Sequence, residues 1–246
     1  MASEKTYRRV LLKVSGEALA GSRGTGLDFG VLRTVCTAVG RCVRDGVQVG
    51  LVVGGGNFWR GAKNGGGKME RSRADHMGML ATVMNALALA DVFSQVGVEA
   101  VVQTAITMER IAEPYTHREA DRLLREGKVV IFACGTGSPY FSTDTGAVLR
   151  AAEIGADASL LAMNIDGVYS ADPKTDPGAV RFAQIGYEEV LARRLGVMDL
   201  TATSMAMDNH IPVVVFPLAD PENIYRAARG ERVGTLVAEG LETAEG

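Results

Sequence analysis

Apolar residues along this chain fall into short unbroken runs, separated by longer stretches where they recur every three or four positions. RRVLLKV, VQVGLVV, VEAVVQ, KVVIFAC, SLLAMNIDGVY and IPVVVF read as buried strands, because continuous apolar runs of this length suit a sheet covered on both faces. Between the first two, LDFGVLRTVCTAVGRCVRDG sets Val31, Val35, Val39 and Val43 along one helical face, with Asp28 as N-cap and Gly46 as stop. HREADRLLREG predicts a helix before KVVIFAC. The segment MGMLATVMNALALADVF predicts a long buried helix, with Met77, Leu80, Met84 and Leu87 at helical spacing as its core stripe. Alternating strands and helices predict an α/β fold, a three-layer α/β/α sandwich around a mainly parallel sheet. Loops are expected over residues 20–26, 61–68 and 170–180, the last because two Asp-Pro pairs disfavour helix. One domain is expected, its core over about residues 8–238 and its tail frayed after Gly240.

Composition narrows the classes of function. With 246 residues and 47% hydrophobic content the chain can bury a substantial core, which excludes a disordered tail. Its 26 basic and 29 acidic residues leave a net charge of −3, so there is no general electrostatic footprint for nucleic acid or an anionic membrane. Binding must be local. The apolar segment before Phe93 carries Asn85 and Asp91 and follows Asp75 and His76, too polar for a membrane span. Cys36, Cys42 and Cys134 make neither a CxxC pair nor an even framework, and no basic-then-apolar leader precedes the first strand, so a reducing cytoplasm is the expected address. His76, His117 and His210 lack ligand spacing, and no zinc site is expected.

Candidate chemistry gathers where strands end. In VVGGGNFWRG the glycines Gly54, Gly55 and Gly56 let phosphate approach the main chain, or simply form a tight strand-to-loop turn. Arg60 strengthens the first reading, because a guanidinium beside such a nest pairs bidentately with phosphate. Trp59 is given no role. KVSG places Lys13 over the same sheet edge if the two strands are neighbours; the plainer alternative is a snorkelling edge lysine. GTGSPYFSTDTG supplies the hydroxyls of Thr136, Ser138, Ser142, Thr143 and Thr145 with Asp144 where the next helix begins, which suits either an anion site or a capping loop. Asp75 either complements a helix dipole or accepts hydrogen bonds from a sugar diol. In MNIDGVYSADP, Asp166-Gly167 reads as a turn, and Tyr169 lies against a base or merely flanks a hairpin.

In this order, KVSG, VVGGGNFWRG, ADHMGMLATVMN, GTGSPYFSTD and DGVYSADP resemble the bacterial UMP kinases of the amino acid kinase superfamily, over nearly the whole chain. The resemblance implies an amino acid kinase-like fold and a cytoplasmic enzyme transferring the γ-phosphoryl group of MgATP to UMP, giving UDP for pyrimidine nucleotide synthesis. It implies a homohexamer, activated by GTP and inhibited by UTP. Carried over residue by residue, Lys13, Val14, Ser15, Gly16, Gly56 and Arg60 match the ATP-phosphate positions. Gly55, Asp75, Thr136, Gly137, Ser138, Pro139, Tyr140, Phe141, Ser142 and Thr143 match the UMP positions, with Asp75 on the ribose. Met163, Asn164, Tyr169 and Asp172 match the surroundings of the adenosine, although many relatives have TKVDGV where this chain has MNIDGV, so Met163 replaces a threonine and Asn164 a lysine.

Phosphoryl transfer to an acceptor that is already an anion needs in-line positioning and charge stabilisation rather than a general base. Lys13 and Arg60 are expected to neutralise the transferring group, and Asp144 to orient Lys13 or help hold Mg2+. A carboxylate kinase on the same scaffold, a non-catalytic nucleotide-binding protein and a dinucleotide oxidoreductase are the alternatives. The last is weakened by the absence of G-x-G-x-x-G after the first strand.

Overall fold

Two parallel neighbours flank β1 (Arg9–Val14): β2 (Gln48–Val53), which places Lys13 beside Val52, and β6 (Ala158–Met163), which places Lys13 beside Leu161. This computed structural model describes residues 7–60, 69–196 and 198–246, and the loop expected over 61–68 lies outside them. Beyond β2 come β5 (Val129–Ala133), β3 (Ala100–Thr104) and the two-residue β4 (Glu113–Pro114). Beyond β6 come β8 (Val213–Pro217), β9 (Thr235–Ala238), β7 (Phe182–Gly186) and β10 (Ala244–Glu245), completing a ten-stranded sheet. Only β8 with β9 and β7 with β10 run antiparallel, so the sheet is mainly parallel, as the apolar runs predict.

Alternation along β1 divides the core in two. Val10, Leu12 and Val14 face one layer, with α2 (Phe29–Arg44), α3 (Arg71–Gln95) and α8 (Glu222–Ala228). Leu11 faces the other, with α4 (His117–Arg125), α5 (Thr143–Glu153), α6 (Tyr187–Arg193) and α7 (Leu200–Asp208). Lys13 shares the face of Leu11 by the period of two, and is thereby aimed at α5. Each fully buried leucine in these layers stabilises the fold by roughly 1.5–3 kcal/mol relative to exposure. Asp28 caps α2 as expected, its carboxylate accepting from the N–H groups of Gly30 and Val31, and Gly46 follows with φ +84°.

Helix α3 corrects the sequence reading. It begins at Arg71, and Met77, Leu80, Met84 and Leu87 are its exposed stripe, at 38, 51, 51 and 40% accessibility. The face against the sheet is instead Ala74, Met79, Ala81, Val83, Ala86, Leu89, Val92 and Phe93. A helix apolar nearly all round offers two stripes of equal periodicity, and the one rich in alanine wins the close approach to the strands. By length and composition α3 would also suffice to cross a membrane, but half of its most apolar window is buried in this fold. The tail corrects a second expectation: Ala244–Glu245 does not fray but adds an edge strand to β7, where Gln184 Nε2 donates to the Glu242 carbonyl. Strands β7, β9 and β10 and helices α6 to α8 escaped the sequence reading.

A buried amide pair ties α3 to the end of β2. Asn85 Nδ2 donates to the Gly54 carbonyl at 2.6 Å and to Asn57 Oδ1 at 2.8 Å, while Asn57 Nδ2 donates to Asn85 Oδ1 at 2.9 Å and to the Gly26 carbonyl at 2.7 Å. Replacing Asn85 by leucine leaves a carbonyl and an amide unsatisfied in the core, and Asn85→Leu is expected to lower unfolding free energy by about 2 kcal/mol, measured by urea denaturation. Burial pushes the Cys36 and Cys42 thiols up to about 12. Both are expected to resist Ellman's reagent in the native protein at pH 8 and to react on denaturation.

Candidate active site

The carboxyl ends of β1, β2 and β5 open into a cleft of about 420 Å³. Parallel sheets place ligands at this rim, where strands hand over to helix N-termini. Here β1 turns through Ser15 into α1 (Gly16–Leu19) and β2 turns through Gly54 to Gly56, the two turns pressed backbone to backbone. The Val14 carbonyl accepts from the Gly54 N–H at 3.1 Å, while the Val14 side chain is wholly in the core.

The chain itself needs the glycines, as the tight-turn reading requires. A Cβ on Gly16 would sit 2.3 Å from the Gly54 carbonyl oxygen, and one on Gly55 would sit 2.7 Å from the Gly78 carbonyl oxygen on α3. What needs the missing side chains is the chain's own close approach to itself, which in turn brings main-chain amides to the cleft.

Among the described residues, the cleft's two lining cations, Lys13 and Arg60, each have a carboxylate beside them. Lys13 is buried, and its Nζ lies 2.8 Å from Oδ1 of Asp144, second residue of α5. Taking away one partner would strand the other charge out of water, at a cost of about 3–5 kcal/mol. Arg60 Nη2 meets Glu17 Oε1 at 2.6 Å. On the far wall Arg71 Nε reaches both oxygens of Asp75, at 2.9 and 2.8 Å, and the Tyr140 N–H donates to Asp75 Oδ2 at 2.9 Å. Glu17 and Arg71 were missed by sequence reasoning. The i, i+4 spacing of Arg71 and Asp75 was the available signal.

The hydroxyl-rich loop is a capping loop, one of the two readings offered for it, and it also borders the cleft. Ser142 caps α5 by accepting from the Thr145 N–H at 3.1 Å, and the hydroxyls of Ser142 and Thr145 donate to Asp199, itself the N-cap of α7. Thr136, Ser138, Phe141, Ser142 and Thr143 also line the cleft. The loop departs from β5 through Cys134 at φ +66° and Gly135 at φ +55°, and Tyr140 is at φ +73°. A non-glycine residue there costs about 1–2 kcal/mol, so the surroundings must hold it. Gly137 and Pro139 do not line the cleft, and Tyr140 joins through its backbone contact with Asp75 and through its ring, 5.5 Å from the Arg71 guanidinium carbon.

Of the residues matched to the adenosine, Tyr169 and Asp172 line a separate cavity of about 300 Å³, with Arg193, Arg194 and Leu195 opposite. The Tyr169 hydroxyl donates to Asp166 Oδ1 at 2.8 Å, and Asp172 Oδ1 accepts from the Lys174 N–H at 2.9 Å, closing its own turn. Met163 and Asn164 line neither cavity. The structure therefore brings together Lys13, Ser15, Gly16, Gly55, Gly56, Arg60, Asp75 and Asp144 with five residues of the loop, and leaves Met163 and Asn164 outside.

The sequence profile of the amino acid kinase family matches residues 8–217. The fold superposes on the crystal structure of a UMP kinase from Bacillus anthracis with a TM-score of 0.94 at 35% identity, covering 98% of this chain and 100% of that one. A UMP kinase from Ureaplasma parvum gives 0.88 at 32%, covering 94 and 99%, and a uridylate kinase from Archaeoglobus fulgidus gives 0.74 at 30%, covering 93 and 99%. A profile spanning most of the chain, and near-complete overlays on enzymes that share its cleft-forming topology, establish that it belongs to the amino acid kinase family, alongside the UMP kinases.

Proposed function

We propose that the chain transfers the γ-phosphoryl group of ATP to UMP, giving ADP and UDP. The observation that carries this is the Lys13–Asp144 pair, standing between the Gly54–Gly56 turn and the hydroxyl-rich loop within one cleft. Two phosphate-bearing ligands brought end to end repel each other, and a buried ammonium between them offsets that repulsion most strongly where water is scarce. Asp144 holds Lys13 on the line between donor and acceptor. Arg60, at the mouth of the glycine turn, exchanges Glu17 for phosphate oxygens. Ser15, Gly16 and Gly56 present the ATP side, and Gly55, Asp75 and the loop of Thr136 to Thr143 present the UMP side. A carboxylate has about four acceptor positions. Arg71 and the Tyr140 N–H leave Asp75 room for a ribose hydroxyl.

Mg2+ arrives on the ATP phosphates and shields their charge. The ion is carried mainly by nucleotide oxygens, with Asp144 as its protein neighbour. The cavity beside Tyr169 and Asp172 is the place for the adenosine. Pyrimidine nucleotide synthesis in the cytoplasm, activation by GTP and inhibition by UTP belong to the same reading through the family resemblance. A homohexamer is supported by the exposed stripe of Met77, Leu80, Met84 and Leu87, which suits packing against a second copy.

Coupled ADP release with UMP, CMP, acetylglutamate or no acceptor tests the assignment: UMP is expected to sustain turnover, and turnover with acetylglutamate alone would refute it. Lys13→Ala is expected to lower kcat by roughly 10²-fold or more, as loss of one preorganised charge contact does. For Asp75→Asn, steady-state kinetics should give a KM for UMP raised by about tenfold with that for ATP little changed, the loss of a charge-assisted bond. Leu80→Glu should shift the mass measured by light scattering towards the single chain.

A further inference from the structure

Arg150, on α5, is 4% exposed, and the proposed reaction gives it no part. A guanidinium taken out of water must find partners for its charge and its N–H groups. Arg150 has three. Nη1 pairs with Glu153, the ring of Tyr115 lies 3.7 Å from its central carbon, and Nη2 donates to the Gly135 carbonyl at 3.2 Å. Glu153 is fixed in turn by the Tyr115 hydroxyl at 2.6 Å, and the Tyr115 ring meets Phe132 edge to face. The cation is thus locked, and its one main-chain partner begins the hydroxyl-rich loop.

The peptide it holds has a defined attitude. Gly135 lies flat on α5 over Gly146, where an added Cβ would come 3.0 Å from Gly135 Cα and 3.4 Å from Thr136 N. Arg150 is one turn further along the same face of α5. The Gly135 carbonyl is turned toward the Arg150 guanidinium that donates to it. In a trans peptide the N–H points opposite to the C=O, and there is no cis bond among the described residues. The Thr136 N–H is consequently turned away from Arg150, and Thr136 itself lines the cleft with Ser142, Thr143 and Asp144. From the other side Thr82 on α3 accepts the Cys134 N–H at 2.8 Å, so the bend is held on both flanks.

We propose that Arg150 is a positioning residue for the acceptor: by gripping the Gly135 carbonyl it presets the Thr136 N–H as a donor to an oxygen of the acceptor nucleotide. The inference rests on the reading of this loop as the UMP side of the cleft. Its signature is a selective loss, because the ATP side is built on β1 and β2 and does not hang from Gly135.

Arg150→Met keeps the stem and removes the grip; Arg150→Lys keeps the charge and loses the fork; Gly146→Ala leaves Arg150 in place and tilts the peptide. Steady-state kinetics with each substrate varied, and calorimetric titration with UMP, are the measurements. Arg150→Met is expected to raise KM and Kd for UMP by about tenfold with KM for ATP within twofold, since a small misplacement of a preset group has effects of this order. Arg150→Lys should recover part of the loss, and Gly146→Ala should reproduce it with Arg150 intact. If Arg150→Met fails to fold, the lysine and alanine variants carry the same test. Equal changes for both substrates, or an unchanged UMP affinity while Asp75→Asn still weakens it, overturn the role of Arg150 and leave the UMP side in place. Unchanged UMP affinity in Asp75→Asn as well as the Arg150 and Gly146 variants would overturn the reading of the cleft itself.

Discussion

The ion pair between Lys13 and Asp144 is the constraint around which the site is arranged. A primary ammonium at the end of a central strand is costly to bury, and only a carboxylate delivered from a helix on the same face of the sheet makes it tolerable. That requirement ties three levels together. The alternation of RVLLKV aims Lys13 at the α5 layer, the parallel register places it one strand from the triple-glycine turn, and the cap at Ser142 starts α5 so that Asp144 falls in its first turn. Shifting β1 by one residue would turn Lys13 into the opposite core, against α2, α3 and α8, and would turn Leu12 and Val14 out of it.

Around this pair the cleft keeps its charges matched locally. Arg60 with Glu17, and Arg71 with Asp75, are each held at bonding distance across short loops or a single helical turn. Such exposed pairs contribute little to stability, about 0–1 kcal/mol each. What they provide is orientation at modest energetic depth, so either pair can be parted without dismantling the fold.

Much of this was legible in the chain because strands buried on both faces are written as unbroken apolar words, and because KVSG, GGG and the hydroxyl-rich run sit at their carboxyl ends. Helix α3 was legible in place but not in orientation. Its two apolar stripes are equivalent by spacing, and only the size of Ala81 and Ala86 decides which meets the sheet. Strands β7 and β9 were missed because FAQIG and TLVA are short and mixed in polarity. Glu17, Asn57 and Asn85 act through partners in space rather than through any local pattern, so single-residue reading passed over them, while Arg71 was marked only by its place four residues before Asp75. The glycines were recognised as a tight turn or a phosphate approach, but the contact of one turn with another was not legible: Gly16 and Gly55 make room for neighbouring main chain.

The back-to-back turns at Gly16 and Gly54 also bear on how such an enzyme can diversify. With a Cβ on Gly16 only 2.3 Å from a carbonyl of the facing turn, neither turn can drift alone, and inheritance must preserve the two as one unit. A change in the backbone of either turn must therefore be met by a matching change in the other.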